Sequence, residues 1–191
     1  MTAMMTKGVG GSTAEAELAR LKPMLSDCQP ISHDEHRARL AGLAQRMAKA
    51  GLDAVWLDAG SNLTYYTGMK WRASERLVGA LIGADGGVTY VGPAFEEGTL
   101  KLYMGVEASL RGWEEHESPY ACVASLLPSG AKLGIDPAAP YFTVTGLSEA
   151  LDGVASNAGD VVLFGRARKS PAELALMQAT KTATIEVHKA A

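Results

Sequence analysis

Asn62, Tyr65 and Tyr66, followed a few residues later by Trp71 and Arg72, are the residues of this chain best suited to holding a ligand. An asparagine amide both donates and accepts. Two tyrosines supply aromatic walls with hydroxyl tips, and a tryptophan offers a flat apolar face of the kind that receives proline or another apolar side chain. An arginine can pair bidentately with a carboxylate. This is chemistry for holding a ligand, not for transforming one, because no nucleophile, base and orienting group occur at a readable spacing. Each residue also has a plainer reading. Asn62 can cap a helical turn, and Tyr65 and Tyr66 can simply pack.

Other groups are weaker candidates. His33 and His36 enclose Asp34 and Glu35, but an acidic first turn is expected on dipole grounds, so both histidines are assigned to an exposed helix start. His116 lies among Glu114, Glu115 and Glu117, which reads as a solvated acidic loop. Asp53 and Asp58 bracket a short apolar run and are expected to serve as turn residues, not as a carboxylate pair. Cys28 and Cys122 belong to no paired spacing and are read as reduced thiols, without disulfide or metal.

The elements that must position these groups begin with the stretch from Gly51 to Gly68. Ala54-Val55-Trp56-Leu57 reads as a central strand covered on both faces, and a loop after such a strand is where open α/β sheets place their working groups. Asn62 is expected to cap a helical turn that Gly68 ends in the left-handed conformation. Upstream, Ser32 to Glu35 forms a capping box opening a helix with Leu40, Leu43, Ala44 and Met47 on one face, closed by Gly51. A weak helical pattern precedes it from Thr13 to Met24. Downstream, the chain predicts a strand over 77–84, an Asp85-Gly86-Gly87 hairpin and a return strand over 88–91. A helix over 94–104, a strand over 109–113, a helix from Ser118-Pro119 and a strand over 132–136 follow. The pattern ends with a helix over 141–151, a last strand over 160–164 and a second capping box at Ser170 to Glu173.

Alternating strands and helices predict an α/β domain with a mixed sheet and helices on both faces. The 191 residues, 47% of them apolar, are enough for one good core. A net charge of −3 without a basic run argues against nucleic acid. No run approaches a membrane span, so a soluble cytoplasmic protein is the expectation. Met1 to Ser12 is left out of the fold, its Gly-Val-Gly-Gly following no strand. The last helix carries no stop signal, as expected of a fragment whose helix continues.

Several stretches resemble the amino-terminal domain of the creatinase, prolidase and Xaa-Pro aminopeptidase family, the pita-bread metallopeptidases. Pro30-Ile31-Ser32 with Arg39-Leu40 and Gly51-Leu52-Asp53-Ala54 resembles the family's opening. Asn62-Leu63-Thr64-Tyr65-Tyr66-Thr67-Gly68 is similar to its signature, and Arg166 to Met177 is similar to its interdomain junction. The resemblance implies a ribonuclease-H-like three-layer α/β sandwich over residues 30–168. It also implies a tail and surface helix over 1–29 and the first helix of a catalytic domain over 169–191. The parent enzyme would cleave Xaa-Pro bonds with two divalent ions, manganese by expectation, held by carboxylates and a histidine of a domain expected to be almost wholly absent from this chain. No residue here matches those ligands. The expected role is therefore a non-catalytic domain that shapes the substrate cleft through Trp71 and Arg72 and mediates homodimerisation. A stand-alone binding or dimerisation module is the alternative.

Overall fold

The computed structural model describes residues 11–191, so the glycine-rich run of Met1 to Ser12 falls almost wholly outside the described residues. Two compact units emerge. One comprises Ser32–Arg168, and the other joins Lys169–Ala191 to the described residues up to Ile31.

In the larger unit the first element is α2 (His33–Ala50), preceded in the chain by α1 (Ala14–Arg20) of the smaller one. Ser32 Oγ accepts the Glu35 amide at 3.2 Å, and the Glu35 carboxylate pairs with Arg39 one turn on. Leu40, Leu43, Ala44 and Met47 are buried on one face of α2, and Gly51 closes it. β1 (Ala54–Asp58) follows and is buried at every position. α3 (Ser61–Thr67) comes next and ends at Gly68, whose φ of +77° is a left-handed value that favours glycine.

β2 (Gly79–Gly83) and β3 (Val88–Pro93) form the hairpin, and β2 pairs antiparallel with both β1 and β3. Gly79 is dictated by packing. A Cβ there would stand 2.3 Å from the Leu57 carbonyl oxygen and 2.5 Å from the Trp56 ring. A short 3-10 turn (Ala94–Glu96), α4 (Glu97–Tyr103) and β4 (Ser109–Trp113) come next, β4 running parallel to β3. α5 (Pro119–Ala124) has Ser118 as its cap and proline in its first turn, as its sequence predicts. β5 (Lys132–Ile135), α6 (Tyr141–Ala150), β6 (Val154–Asn157) and α7 (Gly159–Ala167) complete the unit.

The six strands lie in the order β4-β3-β2-β1-β5-β6. β1 pairs parallel with β5, and β5 with β6, so the sheet is mixed. Alternation along β1 sends Val55 and Leu57 into a core with α2, α3, α4 and α7. Ala54 and Trp56 go to the opposite core with α5 and α6. The result is the expected three-layer α/β sandwich.

The carboxyl end of this unit differs from the sequence-based expectation. Asp160 to Phe164 is helix α7, and the last strand is Val154–Asn157. A short apolar run suits a buried strand or a buried helix equally well. Here the edge of β5 is occupied by β6, and the helix buries Val161 and Val162 while exposing Leu163 and Phe164.

In the smaller unit α1 lies against α8 (Pro171–Ala190). α8 opens with a complete capping box, the Ser170 amide donating to Glu173 Oε2 at 3.0 Å and the Glu173 amide to Ser170 Oγ at 3.2 Å.

Candidate functional site

The chain lays down β1 to β4 in one direction across the sheet and then returns to place β5 on the other side of β1. The carboxyl ends of β1 and β5 therefore flank the point where strand order reverses, the usual location of working groups in open α/β sheets. Two aspartates stand there. Asp58 is the last residue of β1, and Asp136 follows β5. Both are buried, at 6% and 3% exposure.

Their surroundings are already occupied. Trp56 Nε1 donates to Asp58 Oδ2 at 3.1 Å. Asp136 Oδ1 accepts from Asn62 Nδ2 at 2.6 Å and from the Ala138 amide at 2.8 Å. Arg166 Nη1 in turn donates to Asn62 Oδ1 at 2.6 Å. Burial raises both carboxyls above the ordinary aspartate range. The Trp56 indole and the Thr143 hydroxyl oppose that rise at Asp58, and the Ala138 amide and Asn62 oppose it at Asp136. Thr143 Oγ1, buried beside Asp58, does not complete a well-formed hydrogen bond. Asp58 is thus a buried strand residue tied to the core, not the turn residue expected. Asp53 keeps a turn role, its carboxylate accepting the Lys132 amide at 2.8 Å.

Asn62 is likewise not a helix cap. The cap of α3 is Gly60, without a side-chain bond, and Asn62 sits inside the helix at 1% exposure. Its amide links Asp136 to Arg166, a job that needs a donor and an acceptor on one planar group. Tyr66 is fully buried and donates from Oη to the Val162 carbonyl at 2.6 Å, burial raising the phenol above its ordinary range. Arg46 adds bonds to the Val161 carbonyl at 2.9 Å and to Tyr66 Oη at 3.2 Å. Tyr65 is half-buried, stacks edge-on with Tyr66, and carries the Arg39 guanidinium 4.1 Å from its ring centroid.

The backbone oxygen of Tyr65 also receives Arg39 at 2.9 Å and lies 3.0 Å from His36 Nδ1. His36 is buried, at 8% exposure, so only His33 occupies the exposed helix start expected of both. The Gly68 backbone approaches so closely that a Cβ there would lie 3.0 Å from His36 Nε2. Burial pushes His36 below the ordinary histidine range.

Trp71 and Arg72 occupy the loop after α3. Its base is pinned by Thr64 Oγ1 donating to the Met69 carbonyl at 2.8 Å, with Met69 fully buried. Trp71 is half-buried and meets Tyr103 edge-to-face with centroids 5.9 Å apart, while Arg72 is exposed. At the far end of the loop Arg76 binds Glu115 at 3.1 Å and covers Phe95 at 5.4 Å. Phe95 and Tyr103, exposed by 62% and 48%, leave an apolar surface beside the loop, and Leu102 on α4 is exposed by 80%. The five candidates thus divide. Asn62, Tyr65 and Tyr66 face α2, α7 and the carboxyl end of β5, and Trp71 and Arg72 border an open surface.

His116 is exposed, Cys122 is buried and Cys28 is half-buried, and both thiols are free. Among the described residues no group of three or more histidine, cysteine or acidic side chains is placed to hold a metal ion. Asp58 and Asp136 are already committed to Trp56, Asn62 and Ala138, so the residues present do not fit a two-metal centre. Sequence reasoning missed Asp136, Arg166 and Arg46 as partners of Asn62 and Tyr66. An aspartate closing a predicted strand was the available signal for Asp136.

Residues 39–164 match the creatinase/prolidase N-terminal domain family. This chain belongs to that family. Family likeness extends to solved structures. The dipeptidase PepE of Mycobacterium ulcerans superposes with a TM-score of 0.70 at 27% identity, covering 76% of this chain and 40% of that one. The creatinase/prolidase N-terminal domain of an X-Pro dipeptidase from Streptococcus pyogenes superposes at 0.58, covering 67% of this chain and 98% of that domain. At 18% identity, that match speaks to the fold alone. In sequence, the probable dipeptidase PepE of Mycobacterium tuberculosis is 29% identical over 154 residues. This creatinase/prolidase-type chain spans about two-fifths of that protein, 41% of its length.

Proposed function

We propose that this chain is the non-catalytic amino-terminal part of a cytoplasmic Xaa-Pro dipeptidase-like metallopeptidase, and that it shapes the substrate cleft and takes part in subunit association. The observation that carries the reading is the match to PepE, which is confined to 41% of that protein and falls on the family's amino-terminal domain. Catalysis, with its two divalent ions, belongs in this reading to a carboxyl-terminal domain. The Trp71 to Arg76 loop supplies the cleft wall, with Trp71 as an apolar face and Arg72 as a carboxylate partner. The exposed Phe95, Leu102 and Tyr103 support a role for the same surface in homodimerisation. Among the described residues no helix is long and apolar enough to cross a membrane.

The test is a hydrolysis assay on Xaa-Pro dipeptides with added manganese, using protein that carries the polypeptide encoded downstream. Trp71→Ala and Arg72→Ala are each expected to lower kcat/KM by about tenfold, the loss of ~1.4 kcal/mol of transition-state binding. Unchanged kcat/KM in both variants would remove the cleft-wall role. A stop codon after Ala191 in the gene would leave the stand-alone module in its place.

A further inference from the structure

We infer that Asn62, Tyr66 and Arg166 are positioning residues whose task is to lock helix α7, the last element before the chain leaves this unit at Arg168. The inference rests on the reading above. It assigns the family-signature residues a role in holding α7, through which the chain runs on to Lys169, not in touching substrate.

α7 has nine residues, too few to be stable without tertiary contacts. Its apolar anchorage is small, Val161 and Val162 being buried while Leu163 and Phe164 stand 43% and 52% exposed. Polar contacts supply the rest, and they come from α2 and α3. Arg46 Nε donates to the Val161 carbonyl at 2.9 Å, and Tyr66 Oη donates to the next carbonyl, Val162, at 2.6 Å. Those carbonyls lie in the helix interior, where helical hydrogen bonding already occupies one lone pair. The added donors therefore do not rescue orphaned groups. What they do is fix the rotation and depth of the helix against its support.

One turn further, Arg166 reaches back to Asn62, which is held in turn by Asp136 at the end of the sheet. Between these contacts lies Gly165. A Cβ on it would stand 3.1 Å from Tyr66 Oη and 3.3 Å from Tyr65 Oη, so both signature tyrosines press against the backbone of α7. Asn62 at 1% exposure and Tyr66 at 0% are sealed from any ligand, which is what residues acting through α7 require.

The test uses Tyr66→Phe, which removes one hydroxyl and keeps the ring, and Arg166→Ala at a half-buried position. In the chain as it stands, hydrogen exchange of the amides over 161–168 is expected to quicken at least about tenfold in both variants, with β1 and β2 unchanged. In protein extended by the downstream polypeptide, KM for Xaa-Pro dipeptides is expected to rise about fivefold with kcat within about twofold, per mole of folded enzyme. Arg166→Lys, which keeps a cationic donor, is expected to recover part of that loss. Unchanged exchange over 161–168, or unchanged KM in folded enzyme, overturns the inference. If the extended protein hydrolyses nothing, the proposed function falls, and the exchange result still decides the role of the clamp.

Discussion

Replacing Asn62 by leucine tests the network at the end of the sheet most directly. The side chains are similar in volume, so the change removes polarity with little cavity. Two hydrogen bonds disappear, one to the Asp136 carboxyl and one from the Arg166 guanidinium, each 2.6 Å long and each involving an ionisable partner. Bonds of that kind are worth ~1.5–3 kcal/mol each. Asp136, at 3% exposure, retains the Ala138 amide, and the leucine gains some apolar burial, so the net cost is about 3 kcal/mol. That is a large part of the ~5–15 kcal/mol stability of a typical domain. For a chain of this size it lowers the melting temperature by about 6–12 °C. Urea unfolding followed by the fluorescence of the buried Trp56 and Trp113 reads the change as a lower midpoint at constant slope. Asn62→Asp provides the control. It keeps an acceptor for Arg166 but sets a second carboxyl against Asp136, so its deficit should shrink when the pH falls from about 7 to about 5 and the two carboxyls can share a proton. A cost below about 1 kcal/mol for the leucine variant, or a deficit in the aspartate variant that is insensitive to pH, would refute the network as described.

Other expectations follow from single contacts. Gly79→Ala places a methyl against the Leu57 carbonyl and the Trp56 ring, between strands that cannot separate without breaking the sheet, and is expected to cost about 3 kcal/mol by thermal unfolding. Because burial raises Asp58 above its ordinary value, the folded state binds a proton that the unfolded chain has released. The stability this confers is present below the ordinary aspartate pKa of about 3.9 and is lost as pH rises through the raised value. Asp58→Asn, which can still accept from Trp56, should therefore be more stable than the parent at neutral pH and flatten that part of the pH profile, and an unchanged profile would show that Asp58 is not the group responsible. Cys122 is buried and its thiol is pushed up by desolvation, so a thiol reagent should modify the half-buried Cys28 first and reach Cys122 only with unfolding, as mass spectrometry of the labelled peptides can show.

The capping serines at Ser32 and Ser170, the Asp85 to Gly87 hairpin, the left-handed Gly51 and Gly68 and the apolar face of α2 are all legible in the chain, because each depends on residues within a few positions of one another. The same holds for the α/β class and for β1, whose run of apolar residues admits only a covered strand once its flanking turns are recognised. Asp160 to Phe164 shows where local signals end. Its run of apolar residues fits helix or strand, and competition for the edge of β5 decided for helix.

The candidate site divides along the same line. Residue type alone marked Asn62, Tyr65, Tyr66, Trp71 and Arg72 as groups able to bind. That Asn62 and Tyr66 face inward, to Asp136 and Arg166 and to Val162, while Arg72 remains on the surface, depends on partners 74 to 104 residues away in sequence. A sequence determines hydrogen-bonding capacity and local conformation through near neighbours. Only the folded sheet, by bringing the ends of β1 and β5 together, decides which distant group uses that capacity.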